Sequence, residues 1–325
     1  MPHQRFPKIE ILHLTAHELR FVLSDTDTSV ANTLRRIMIA EIPTLTIDLV
    51  EFTDNTTVLN DEYISHRLGL IPLRYQPAVD SIQTAVDCSD YFVANRECVC
   101  YDSCGRCSVE FDLDVAYTVT GDEDVLAPLT VTSKHLISNN EQVQPAHFIS
   151  VEEQEDAQDE GIAIVKMGPG QKLKLKAVAR LGIAKEHTKW SPVAVATYRF
   201  WPEIMINSEQ MSLLTLEQKQ QLVDVCSDRI LELDEVTGEI RAAENAWEIA
   251  TFTEDLDFLQ KSMKQRPEDD DFVKISQATD RFIFTVESTG ALDAEEILTT
   301  SLKVLKKRLN NLARELEAIK ESGHS

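Results

Sequence analysis

Residues 24–73, SDTDTSVANTLRRIMIAEIPTLTIDLVEFTDNTTVLNDEYISHRLGLIPL, decide the fold of this chain. They open with a helix whose two ends are both marked. Thr26 or Asp27 can cap its start, because a short side-chain oxygen there accepts a backbone N–H that has no partner within the helix. Pro43 cannot continue the helix and so marks its end. The apolar residues in between recur at steps of three and four, which places them on one face: Val30, Leu34, Ile37, Met38 and Ile42.

Strands are predicted on both sides of this helix. Residues 45–52 form a strand-like run after it, and residues 161–167 and 171–179 predict a hairpin around Gly168-Pro169-Gly170. In the second arm of that hairpin lysines alternate with apolar residues, which indicates one solvated and one packed face. Residues 205–272 change to short helices, so the fold class is α+β. Further strands are predicted at residues 9–14, 19–23, 109–115, 193–201 and 281–287.

The composition is strongly acidic, with a formal net charge of −23 from 55 acidic and 32 basic residues. Phosphate binding depends on Lys and Arg, so this balance argues against a large nucleic-acid footprint on this protein. The opening MPHQRFPKIEI lacks the apolar core of a signal peptide. No run approaches the roughly 18 apolar residues of a membrane span. We therefore expect no membrane association.

Four cysteines with the spacing C-x-C-x3-C-x2-C form the clearest candidate site: Cys98, Cys100, Cys104 and Cys107. Zinc prefers a tetrahedron of soft ligands, which thiolates supply, so the spacing predicts one bound Zn²⁺. The alternative is four reduced surface thiols or two local disulfides. Four protein ligands leave no open position for water, which makes the predicted site structural and not catalytic.

The chain ends in a predicted helix of about 28 residues, which would be roughly 40 Å long. Asp293 and Glu296 form a capping-box pattern at its start. Apolar residues then step alternately by four and three, as the a and d positions of a heptad do: Leu298, Leu302, Leu305, Leu309, Leu312, Leu316 and Ile319. This length exceeds what one small domain needs. We interpret the seam as packing on a second protein as well as on its own sheet; the alternative is a purely internal core.

Four segments carry a family resemblance, in order along most of the chain: the helix–strand unit with His66–Leu73, the cysteine segment Cys98–Cys107, Gly182–Pro192 and Phe282–Gly290. Together they resemble the α-like subunits of multisubunit RNA polymerases. The resemblance is strongest to the third-largest subunit of eukaryotic RNA polymerase II, and the opening Gln4–Ile9 is similar to its plant-type version.

The resemblance implies a discontinuous α-like pairing domain. Residues 1–48 and 187–325 would form this dimerisation domain. Residues 49–186 would be an inserted, mostly β domain that carries the zinc loop 98–107. Residues 203–272 would add a helical insertion to the pairing domain.

The resemblance also implies a non-catalytic assembly subunit of DNA-directed RNA polymerase II in the nucleus, with structural zinc on the same four cysteines. Its first partner would be a smaller α-like subunit, giving a heterodimer that nucleates the complex. The second-largest and largest subunits and small zinc-binding subunits would join it, and DNA and RNA would be met only through the complex. No catalytic residue is expected. The expected partner interface consists of Val30, Leu34, Arg35, Arg36, Met38, Leu298, Leu302, Leu305, Leu309, Leu312 and Leu316.

Two other interpretations stay open at this point. One is the α-like subunit shared by RNA polymerases I and III, suggested by Ser191-Pro192-Val193-Ala194 and Tyr198-Arg199-Phe200. The four-cysteine loop argues against it, because that family lacks such a loop. The other is a free-standing zinc-dependent nucleic-acid-binding protein, which the acidic balance disfavours. Whether the protein also serves the plant-specific polymerases IV and V does not follow from the sequence.

Overall fold

The computed structural model describes residues 5–77, 88–101, 103–118, 128–146, 161–225, 231–234, 238–243, 254–263 and 270–322. Two compact units divide the chain. One unit comprises the described parts of Met1–Glu10, Phe21–Ala31 and Tyr198–Phe284. The other comprises the described parts of Ile11–Arg20, Asn32–Thr197 and Thr285–Ser325.

Helices and strands are mixed along the sequence, as an α+β fold requires. The strands are β1 (Lys8–Leu14), β2 (Glu18–Ser24), β3 (Pro43–Asn55), β4 (Leu73–Tyr75), β5 (Ser108–Ala116), β6 (Leu129–Thr132), β7 (Ile137–Ser138), β8 (Val143–Pro145), β9 (Ala163–Met167), β10 (Lys172–Ile183), β11 (Val193–Ile206), β12 (Leu231–Leu233), β13 (Ile240–Ala242) and β14 (Val273–Ser288). The helices are α1 (Thr28–Ala40), α2 (Asp61–Gly69), α3 (Cys88–Tyr91), α4 (Ser208–Met211), α5 (Leu216–Val225), α6 (Glu254–Met263) and α7 (Ala294–Ser322).

Two four-stranded sheets organise the described residues. The first has the strand order β1-β2-β14-β11 and the second the order β3-β10-β5-β7. Three two-stranded pairs accompany them, namely β12-β13, β4-β8 and β6-β9. Most neighbours in the two larger sheets are distant in sequence, so the pairing is largely non-local.

The predicted limits of α1 are confirmed. The Oδ1 atom of Asp27 accepts hydrogen bonds from the backbone N–H groups of Ser29 (3.0 Å) and Val30 (3.2 Å). Of the two candidate caps, Asp27 therefore satisfies the free N–H groups of the first turn. The helix ends at Ala40, and Pro43 is the first residue of β3.

The predicted alternation of β10 is confirmed, but the predicted hairpin is wrong. Leu173, Leu175 and Ala177 are buried in the core. The intervening lysines form ion pairs with acids on the two neighbouring strands, for example Lys174 with Asp114 (2.7 Å). β9 pairs with β6, whereas β10 lies between β3 and β5. The turn at residues 168–170 therefore connects two different sheets and does not form a hairpin.

The core of the second sheet lies on the apolar face of β10. It includes residues of β3, β5 and α2, a short helix absent from the sequence prediction. Ile64 and Leu68 of α2 are fully buried there. A separate cluster gathers Met211, Leu222, Leu231, Ile240, Phe272 and Val273.

Residues 203–272 combine helices with strands. The predicted helices are present as α4, α5 and α6, but the pair β12-β13 also lies in this range. Among the described residues, no helix combines the length and the apolar character that a membrane crossing needs.

Candidate metal centre and pairing surface

The four cysteines of the predicted metal site come together in one loop between a short 3-10 turn, Asn95–Glu97, and β5. The backbone N–H of Cys107 donates to the carbonyl of Cys104 (2.9 Å), which closes a tight turn between the last two thiols. The N–H of Cys104 in turn points at the sulfur of Cys107 (3.3 Å). This turn brings the sulfurs of Cys104 and Cys107 within reach of one metal ion, as a C-x2-C site requires.

The sulfur separations fit a tetrahedral metal. All four Sγ atoms lie within 4.8 Å of one another, and none forms a disulfide. The Cys98–Cys104 and Cys100–Cys107 pairs are each 3.6 Å apart, and Cys104–Cys107 is 3.7 Å. Four sulfurs at about 2.3 Å from a central zinc would be about 3.8 Å apart. The cluster can therefore hold a metal ion of this size.

The four thiols also change one another's pKa values. The backbone N–H of Arg106, followed by the thiol of Cys98, lowers the pKa of Cys104 to about 7. Hydrogen bonding with Cys98 and Cys107 raises the pKa of Cys100 to about 12, and burial raises the pKa of Cys107. Four adjacent thiolates repel one another, so full ionisation needs a cation among them. A divalent metal supplies that charge.

The terminal helix α7 begins with half of its predicted capping box. The backbone N–H of Asp293 donates to Oε2 of Glu296 (3.0 Å). Two ion pairs involve α7 and the residue before it. Arg74 contacts Asp293 at 2.6 Å, and Arg308 contacts Glu41 at 2.7 Å. These contacts fix the base and middle of the helix within its own unit.

The predicted leucine seam of α7 changes character along its length. Leu298 is buried and Leu305 is half-buried, so these two positions pack internally, although Leu302 between them is exposed. Leu309, Leu312 and Leu316 are 57%, 56% and 58% exposed. Leu302 and Ile319 are exposed as well. The outer part of the seam is therefore an apolar stripe facing solvent.

The predicted interface residues of α1 divide in the same way. Leu34 and Met38 are fully buried and serve the protein's own core, so their side chains are not available to a partner. Arg35 is half-buried and donates to Oδ1 of Asn32 (2.9 Å). Val30 and Arg36 are exposed. Of the predicted interface residues of α1, Val30 and Arg36 are therefore the two with exposed side chains.

The Gly182–Pro192 motif forms a turn anchored on β3. The carbonyl of Trp190 accepts a hydrogen bond from the hydroxyl of Thr44 (2.7 Å), and Lys189 forms an ion pair with Asp48 (2.6 Å). The Nδ1 atom of His187 accepts from the backbone N–H of Lys189 (3.1 Å), which caps the turn Thr188–Trp190. His187 therefore has a structural role in the turn.

One charged residue of functional interest was not singled out from the sequence. Arg180 lies on the same strand as the alternating lysines of β10, so the pattern suggests one more solvated charge. Its side chain is only 17% exposed, and its Nε–H is buried without a hydrogen-bond partner. The sequence signal that could have identified it is its position two residues before Gly182, at the start of the motif.

Comparison with known proteins identifies the family. Residues 20–309 match the family model of the RNA polymerase Rpb3/Rpb11 dimerisation domain. The sequence is 39% identical over 312 residues to "DNA-directed RNA polymerase II subunit rpb3" of Dictyostelium discoideum, covering 95% of this chain and 94% of that protein. It is 40% identical over 309 residues to "DNA-directed RNA polymerases II, IV and V subunit 3" of Arabidopsis thaliana, covering 95% and 91%.

A third relative separates the polymerase II interpretation from its alternative. "DNA-directed RNA polymerases I and III subunit rpac1" of Dictyostelium discoideum is 32% identical over 303 residues, covering 93% of this chain and 80% of that protein. Within one organism, the similarity is thus greater to the polymerase II subunit than to the subunit of polymerases I and III. The chain belongs to the RNA polymerase Rpb3/Rpb11 dimerisation-domain family, among the non-catalytic, α-like assembly subunits of the RNA polymerase II type.

Proposed function

We propose that this protein nucleates assembly of RNA polymerase II by forming a heterodimer with a smaller α-like subunit. The pairing surface consists of the outer seam of α7, together with the exposed side chain Arg36 of α1. The family model supports a dimerisation role, since it describes a dimerisation domain and matches nearly the whole sequence.

The observation that carries this proposal is the exposure of the outer α7 seam. Leu309, Leu312 and Leu316 are each more than half exposed, although they continue an apolar repeat that is buried at Leu298. A regular apolar stripe on the surface of a soluble protein marks an interaction site. A partner helix with its own apolar repeat would cover it by knobs-into-holes packing.

The cysteine cluster is proposed to hold one Zn²⁺ in a structural role. Cys98, Cys100, Cys104 and Cys107 would hold the ion, whose chemistry here is to bind thiolates and cross-link the loop. Four thiols at near-tetrahedral separations support zinc over harder ions, which prefer oxygen ligands. The loop has few apolar contacts of its own, since Val99 and Tyr101 are fully exposed. Metal binding would therefore stabilise its fold.

We also propose the domain organisation that the family resemblance implies. Residues 1–48 and 187–325 would form the pairing domain, with 203–272 as its insertion, and 49–186 would be the inserted, mostly β domain. The second four-stranded sheet supports the last assignment, because β5, β7 and β10 lie within 49–186 and β3 continues into this range from Pro43.

The further partners are proposed to be the second-largest and largest subunits and the small zinc-binding subunits, with the assembled enzyme in the nucleus. DNA and RNA would be met only through the complex. The net charge of −23 supports a scaffold over a direct nucleic-acid binder.

Purification of the complex through a tag on this protein tests the proposal. The expected result is an equimolar smaller α-like subunit together with the two largest subunits of RNA polymerase II, all identified by mass spectrometry. Recovery of subunits specific to polymerases I and III, or of no polymerase subunit, would contradict it. Additional subunits of polymerases IV or V would extend the role, as the name of the Arabidopsis relative suggests for that protein.

A further inference from the structure

A cavity of about 500 Å³ lies beside the zinc loop, on the face of the second sheet opposite its apolar core. Its walls come from five places in the sequence, namely Pro43 with Asp48, residues 94–97, the end of β10 at residues 180–183, Glu186 with Trp190, and Lys307. This volume is larger than one amino-acid side chain needs, and it is in the range that accommodates a bound peptide segment or ligand.

Arg180 is the unusual residue of this cavity. Among the described residues its guanidinium makes no hydrogen bond, and its nearest carboxylate oxygen, Oδ2 of Asp48, is 3.8 Å from Nη1. Its Nε–H is buried without a partner. A mostly buried cation with unused donors costs free energy unless another group completes its bonding.

The two neighbouring carboxylates of the wall each have a closer contact with another cation. Asp48 accepts a hydrogen bond from Nζ of Lys189 at 2.6 Å, and Glu186 pairs with Arg96 at 2.6 Å. The remaining charged wall residues, Glu97 and Lys307, are exposed to solvent. Arg180 is therefore the one cation of the described cavity wall that is both mostly buried and without a hydrogen bond.

We propose that Arg180 binds a carboxylate of another polymerase subunit, inserted into this cavity when the complex assembles. The inference rests on the proposed function, since the carboxylate comes from a partner within the polymerase. A planar guanidinium presents paired N–H donors that match a carboxylate, which makes an Asp, a Glu or the terminal carboxylate of a polypeptide the fitting group.

Two sides of the cavity have contacts that fix their side chains. Gly182 and Trp190 form one wall, where the indole Nε1–H donates to the carbonyl of Arg180 (3.2 Å). Another wall, residues 94–97, immediately precedes Cys98, and its Arg96 forms an ion pair with Glu186 at 2.6 Å. The segment before the cysteine cluster therefore forms one side of the site, and the Gly182–Pro192 motif contributes to another.

Carbodiimide cross-linking of the intact complex tests the inference directly. Arg180→Lys places a primary amine in the cavity, and the reagent joins an amine to a carboxylate in contact with it. The expected product is a peptide pair linking position 180 to an acidic residue or the terminal carboxylate of another subunit. Mass spectrometry then separates an Asp or Glu carboxylate from a terminal one.

A second variant separates a docking role from a merely structural one. Arg180→Met removes the charge but keeps an unbranched side chain. In the heterodimer alone it should raise the Tm, because an incompletely bonded buried charge is removed. In the full complex it should weaken binding of the cross-linked subunit by at least about 30-fold. Lys174→Met, on the same strand and already paired with Asp114, is the matched control and should leave that binding unchanged.

The outcomes distinguish the inference from the proposed function. A complex that assembles normally but yields cross-links only to Asp48 of the same protein, or none, overturns the inference alone. So does an Arg180→Met heterodimer with a lowered Tm and undiminished subunit binding. If the unmodified protein recovers no polymerase subunit at all, both the proposed function and the inference fail.

Discussion

Gly182 lies against the indole of Trp190 so closely that a Cβ at position 182 would come within 2.4 Å of Cε2 of the ring. The tryptophan is almost completely buried, and Lys189 lies over its ring at 4.4 Å. Gly182 and Trp190, at the start and near the end of the Gly182–Pro192 motif, therefore pack directly against each other. The glycine is needed there for the space that its missing side chain leaves.

Gly182→Ala should therefore destabilise the protein, because the added methyl group must displace the ring or the strand. Overpacking of this kind typically costs about 1–3 kcal/mol. Thermal unfolding would measure it as a lowered Tm. Gly168→Ala is the matched control, since a Cβ there meets nothing nearer than 3.7 Å. Equal stability of the two variants would contradict the packing account.

The local features of this fold could be predicted from the sequence. Asp27 and Pro43 mark the limits of α1 because caps and prolines act within a few residues. The cysteine cluster is equally local, with all four ligands in one loop. Such signals depend on neighbouring residues alone, so they need no knowledge of tertiary structure.

The features that depend on distant residues could not be predicted in this way. The turn at Gly168-Pro169-Gly170 suggested a hairpin, but β10 is paired with strands about 60 and 120 residues earlier in the sequence. Which leucines of the α7 seam are buried depends on how far other parts of the protein pack along the helix. The incomplete bonding of Arg180 likewise depends on which partners Asp48 already has. Periodicity within one segment carries none of this information.

Zinc binding gives a second prediction. The protein as purified should contain one zinc per molecule, and Cys104→Ser should lose it and loosen residues 95–110. Binding free energy at such sites is largely folding free energy, roughly 10–16 kcal/mol in peptides. Elemental analysis measures the zinc content, and hydrogen exchange measures the protection of the backbone amides in residues 95–110.

The control for the metal prediction is the buried cysteine Cys88, which lies outside the cluster. Cys88→Ala should retain the full zinc content. Absence of zinc from the native protein would falsify the assignment. Polymerase activity need not be lost at once in Cys104→Ser, because the proposed site is structural.

The cap of α1 gives a prediction about pH. The hydroxyl of Ser29 and the backbone N–H of Val30 hold the pKa of Asp27 below its usual value. The ionised carboxylate therefore stabilises the folded state fully above the ordinary aspartate pKa of about 3.9. This contribution is lost as the pH falls through the lower pKa of the folded state.

Asp27→Ala should accordingly lower the Tm at neutral pH, with a difference from the unmodified protein that narrows below about pH 4. Ser29→Ala should reproduce part of this behaviour, since it removes the largest contribution to the pKa shift. Thermal unfolding from pH 7 to pH 3 measures both variants. A Tm difference that grows towards acidic pH would contradict the predicted direction of the pH dependence.

The two parts of the α7 seam should respond differently to the same substitution. Leu298→Asp places a charge in the internal core, where an unpaired charge costs several kcal/mol, and the protein should misfold or aggregate when expressed alone. Leu309→Asp changes an exposed position and should leave the protein soluble. Solubility and circular dichroism of the isolated variants measure this difference.

The most direct test of the central claim is pairing by the double variant Leu309→Asp, Leu312→Asp, which changes two exposed positions of the outer seam. Co-expression with the smaller α-like subunit, followed by pull-down and size-exclusion chromatography, measures heterodimer formation. Asn310→Asp adds a charge at a neighbouring exposed position and is the control that should pair normally. We predict a folded double variant that fails to bind the smaller subunit. Normal pairing by a well-folded double variant would contradict the account and move the contact to the Val30–Ile42 helix.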